Sequence, residues 1–116
     1  MGFYLYKLIA PRVTFAQDMT DAEAQLMKVH GEYWSDLAER GVAVVFGPVL
    51  DPKGSWGLAI VEAKDEAEVH AIGAEDPAIK SQFGFKFEIY PMLQAVMRKE
   101  PLARGIVRSR TFSTSA

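Results

Sequence analysis

The chain of 116 residues has no cysteine and only two histidines, His30 and His70. Without thiols there is no cysteine nucleophile, no thiolate-bound zinc and no iron–sulfur cluster. The histidines are far apart, with no His-x-x-x-His pair and no dense cluster of acids, so no metal site is expected. Neither GxGxxG nor GxxxxGK[ST] occurs, which leaves no phosphate-cradling loop and no cofactor to expect. Charge of one sign is also missing: 13 Lys+Arg stand against 15 Asp+Glu, a net charge of −2. Such a balance gives no general attraction to nucleic acid or to anionic membrane. No hydrophobic run is long enough to span a bilayer, and the apolar start, Phe3-Tyr4-Leu5-Tyr6, is broken by Lys7 and lacks the basic lead of a signal peptide. A cytoplasmic protein is the expectation.

What the chain does have is 49% hydrophobic residues in a length suited to one domain with its own core. Residues 3–10, rich in aromatic and branched side chains and closed by Pro11, read as a strand, and residues 11–18 as a loop. Thr20 with Glu23 has capping-box spacing, so a helix is predicted from Asp21 to Arg40, stopped by Gly41. Leu26, His30, Tyr33, Trp34, Leu37 and Ala38 fall on one stripe of it. Residues 42–46 form a second strand ending at Gly47-Pro48, and Asp51-Pro52-Lys53-Gly54 is a turn leading to a third strand, Trp56 to Val61. A second helix runs from Asp65 as N-cap to Ala74, with Ala67, Ala71 and Ala74 as its buried stripe, and Asp76-Pro77 ends it. Phe83, Phe85, Phe87 and Ile89 alternate with polar or small neighbours as a fourth strand. The domain therefore covers residues 1–92. Residues 93–116, with Pro101 and Gly105, are expected to give a short helix from about Met92 to Lys99 and then an extended, basic arm.

The order βαββαβ is that of an α+β, ferredoxin-like fold with a four-stranded antiparallel sheet. Right-handed crossovers put both helices on one face. The first strand is apolar at odd and even positions alike, as Phe3, Leu5 and Ile9 alternate with Tyr4, Tyr6 and Leu8. A sheet of this kind needs cover on both sides. With no further helix in the core, a second copy of the sheet is the expected cover, which makes the chain a homodimer through its open sheet face.

His30 with Tyr33 and Leu37 on the first long helix, the glycine ending that helix, Gly47-Pro48 and Asp76-Pro77 occur in an order that resembles the YCII-like family over about residues 3–92. The resemblance implies a dimeric α/β barrel, related to muconolactone isomerases and small cofactor-free monooxygenases. One branch resembles a dehydrochlorinase of chlorinated hydroxyhydroquinones. It also implies a site pair, His30 and Asp76.

That pairing has a physical rationale. A carboxylate that accepts a proton from one imidazole nitrogen selects the tautomer and leaves the other nitrogen as a base. The plainer alternative is that His30 is a satisfied core histidine and Asp76 a helix cap. Tyr6 and Tyr33 are candidates to hold a small-molecule substrate by hydrogen bonds, against simple packing under the helix. Arg12 is a candidate carboxylate clamp, against an ordinary surface arginine. Trp34 and Trp56 suit a pocket wall or the core, and His70, among acids, suits a solvated surface. The preferred reading is a cofactor-free enzyme that moves protons on an aromatic or enolisable small molecule, of isomerase, dehydrochlorinase or lyase type. The alternatives are a small-molecule-binding or interaction module of the same fold, and a dimer in which the pair is only structural.

Overall fold

Thr20 starts the long helix by the predicted device: its hydroxyl accepts from the Glu23 amide, and the Glu23 carboxylate accepts from the Thr20 amide. In the computed structural model, which describes residues 1–99, that helix is the third element of eight. The chain runs β1 (Gly2–Ile9), α1 (Phe15–Asp18), α2 (Asp21–Glu39), β2 (Ala43–Val49), β3 (Trp56–Ala63), α3 (Glu66–Ala74), α4 (Pro77–Lys80) and β4 (Lys86–Pro91). The strands form one antiparallel sheet in the order β2-β3-β1-β4. This is the expected α+β, ferredoxin-like arrangement.

Pairing sets which side chains meet the helices. Tyr6 lies opposite Ala59 and Ile89, and Leu8 opposite Phe87. These positions pack with Trp34 and Leu37 of α2, Val69 of α3 and Ala78 of α4 in the core. The intervening positions form the other face. There Leu5 pairs with Ile60 and Ile9 with Trp56, all half-buried and all outside the core cluster.

Several boundaries differ from expectation. The segment 11–18 is not all loop, since Phe15–Asp18 closes a helical turn and buries Phe15 against Phe85. β2 runs on through Gly47-Pro48 to Val49, which is possible because it is an edge strand and Pro48 needs no ladder partner on its outer side. β4 starts only at Lys86, because Gln82 and Gly84 adopt φ of 61° and 104° and turn the chain first. No helix follows at 92–99. The Met92 amide instead donates to the Phe3 carbonyl, and Leu93 and Val96 are exposed, so a helix there would bury no face. The expected extended arm, over 100–116, lies outside the described residues.

The buried stripe of α3 is also not the alanine one. Ala67, Ala71 and Ala74 are exposed, whereas Val69 and Gly73 are buried. Gly73 is what allows α3 to close on the sheet: a Cβ there would stand 2.8 Å from ring carbons of both Phe87 and Tyr6. Gly73→Ala gains about 1 kcal/mol of helix propensity. It forces two rings to move, at about 1–3 kcal/mol. A net loss of roughly 1 kcal/mol, read as a lower denaturation midpoint, is the expected outcome; an unchanged or raised midpoint would show that the rings yield freely.

Candidate functional site

Asp76 closes α3 and opens α4. As N-cap before Pro77 it accepts from the Ala78 amide with Oδ1, at 2.9 Å. The same oxygen is 2.9 Å from Nδ1 of His30, while Oδ2 accepts from the Tyr6 hydroxyl at 3.0 Å and from Nε1 of Trp34 at 2.9 Å. Four donors from α2, β1 and α4 thus converge on one carboxylate that is 0% exposed. Burial pushes its pKa up, but the hydrogen bond and charge of His30, with those of Trp34 and Ala78, outweigh it and hold the group below the usual carboxylate range. Asp76 is therefore an ionised, saturated acceptor. Burial first, and then the charge of Asp76, drives the Tyr6 hydroxyl far above its ordinary value, so it stays a donor.

Because the carboxylate only accepts, Nδ1 of His30 must carry the proton. Among the described residues Nε2 has no hydrogen-bond partner, and the ring, 18% exposed, forms part of a cavity wall. This cavity of about 350 Å³ lies between α1, α2 and the sheet. Trp34, Phe46 and Phe85 supply aromatic wall, and Phe15 of α1 closes one side. Gly47-Pro48 lines it too, which explains that motif better than strand termination does.

The other candidates are placed elsewhere. Tyr33 donates to the Ile72 carbonyl at 2.7 Å, tying α2 to α3, and is not part of the cavity lining. Arg12 is committed: its Nη atoms meet both oxygens of Glu23 at 2.8 Å, and Nε meets Asp18 at 2.7 Å. This contact brings Glu23 down to a pKa of about 2 and fastens α1 to the start of α2. Tyr6 contributes its ring to the cavity, but its hydroxyl goes to Asp76. His70 is exposed on α3, against Phe87, and borders a separate open groove with Glu66 and Lys86. Among the described residues, no group of three or more histidines or acids could hold a metal ion, and no helix is long and apolar enough to cross a membrane.

Trp34 is the residue of this cluster that sequence reasoning missed as a hydrogen-bond donor. Its position on the His30 stripe marks it for the interior, and a buried indole N–H needs an acceptor, but nothing local points to Asp76. Compared with known families, residues 7–94 match the YCII-related domain. Both His30 and Asp76 fall inside that span. No curated protein matches the chain.

Proposed function

Since the chain belongs to the YCII-related domain family, and since the imidazole of His30, oriented by a carboxylate, borders an apolar cavity, we propose that it is a small cofactor-free enzyme. It moves a proton on an aromatic or enolisable small molecule. The observation that carries this reading is the fixed tautomer of His30, with Nδ1 held by Asp76 at 2.9 Å and the ring in the cavity wall. Nε2 is the base. When it takes a proton, the imidazolium is stabilised by a carboxylate that its other donors keep ionised. Asp76 is a positioning residue, and Tyr6 and Trp34 act through it. Arg12 acts at one remove, by holding the α1 wall.

We also propose that the protein works as a cytoplasmic homodimer, its open sheet face covered by that of a second copy. The rival reading is a non-catalytic binding module, favoured by the same four bonds, which also join α2, α4 and β1 and so have structural value of their own.

5-Nitrobenzisoxazole separates the two. A base removes its C3 proton, the C–H electron pair completes a nitrile, and the N–O bond breaks to release a coloured phenolate. Wild type is expected to accelerate this elimination, and His30→Ala to lose roughly 10²–10⁴-fold of the acceleration. His70→Ala should match wild type. Equal rates for His30→Ala and wild type would overturn the enzyme reading.

A further inference from the structure

We infer that the cavity beside His30 takes an uncharged ring compound offering one hydrogen-bond donor, and that it turns carboxylates away. The inference rests on the reading that Nε2 of His30 meets the ligand. Its grounds are the charges around the cavity. Among the described residues, no Asp, Glu, Lys or Arg is part of the lining. Among the described residues, the arginine near that wall, Arg12, has its guanidinium filled by Glu23 and Asp18, and Glu23 is itself buried, so withdrawing Arg12 would strand a buried carboxylate. Among the described residues, no cation of the cavity lining is there to receive an anion.

The fixed charge nearest the ligand is instead negative. Asp76 stands directly behind the imidazole, 2.9 Å from Nδ1. With His30 neutral, a carboxylate entering the cavity loses its water and meets like charge through the ring. It can bind only if His30 takes up a proton. An uncharged donor meets neither obstacle: its X–H points at the Nε2 lone pair, and its ring lies among Trp34, Phe46 and Phe85. A volume of about 350 Å³ is at the small end of ligand pockets, which run to roughly 300–1,000 Å³. It suits one ring or two fused rings.

Three probes of one shape test this: 4-cyanophenol, 4-cyanobenzoate and 4-cyanotoluene, titrated calorimetrically into the full chain at neutral pH. The phenol is expected to bind at least about tenfold more tightly than the carboxylate. His30→Gln should remove most of that preference and leave the toluene unchanged. In the wild-type protein alone, the phenol should shift the Nε2 resonance of His30, a readout that needs no variant. Equal or tighter binding of 4-cyanobenzoate would overturn the inference. If that binding also depends on His30, the proposed base survives and only the ligand class is wrong. Phenol binding indifferent to His30→Gln, with no Nε2 shift, would overturn the base as well. Failure of all three to bind at millimolar concentration would overturn the ring-compound assignment.

Discussion

Asp76→Ala is expected to lose about 3–5 kcal/mol of stability, the range for breaking a buried charged pair by removing one partner. The substitution leaves the Tyr6 hydroxyl, the Trp34 indole, the His30 ring and the Ala78 amide without their acceptor. Each orphaned buried donor costs about 1–3 kcal/mol, and water reaching the cavity limits the sum. Against a total of roughly 5–15 kcal/mol, the denaturation midpoint should fall steeply or the fold be lost. Asp76→Asn is the informative companion because it keeps the shape. One amide corner becomes a donor, so it confronts either the indole N–H at one corner or the imidazole and Ala78 N–H groups at the other. Facing the ring, it forces the His30 proton onto Nε2, where it blocks the base. Imidazole ¹⁵N shifts should then report the other tautomer, and elimination of 5-nitrobenzisoxazole should fall by roughly 10²–10⁴-fold. An unchanged tautomer together with an unchanged rate would remove Asp76 from the mechanism. The pH sign follows from the depressed carboxyl: with a folded pKa below 3.8, the stability Asp76 contributes is complete above that value and fades as pH falls through the folded one.

The order of elements was legible because local signals agree with one another. Thr20 and Glu23 cap, Gly41 stops, and hydrophobic period changes from helical to alternating at each boundary. What escaped the sequence is tertiary. The short turn of α1 exists because Arg12 grips Asp18 and Glu23, and a lone arginine in a sequence shows its charge but not its partner. That is why Arg12 was legible as a carboxylate clamp and not as a fastener. The stripe of α3 misleads for a similar reason. Three alanines at helical spacing look like a close-packing face, yet the close approach is made by Gly73 against rings of β1 and β4. His30 and Asp76 were reachable through a helical stripe, an Asp-Pro break and the family resemblance. Tyr6 and Trp34 were visible as aromatic residues, but that both donate to the same oxygen emerges only when β1, α2 and α4 are assembled.

The proposed homodimer carries the other large effect. In sedimentation equilibrium at low micromolar concentration, the chain is expected at twice its 12.9 kDa, and Ile60→Arg at 12.9 kDa. Ile60 is on β3, paired with Leu5 on β1, in the middle of the face that carries no helix. Joining two such faces removes on the order of 1,200–2,000 Å² from water, the size of a stable interface. Lys7 is on this face already, its Nζ 4.9 Å from the centroid of the Trp56 ring and its strand position opposite Glu88, so one cation is accommodated by an aromatic neighbour. A cation at residue 60 is instead paired with Leu5 on one side and Val45 on the other. In a twofold pair it also brings its own copy close to itself, so desolvation and like-charge repulsion act together. A loss of about 4 kcal/mol, near a thousandfold in dissociation constant, is the expected size. The monomer should keep its circular dichroism, because residue 60 is on the half-exposed side of the sheet and packs against no helix. A monomeric wild-type chain, or an Ile60→Arg chain that still sediments as a pair, would mean that something other than a second copy covers the face.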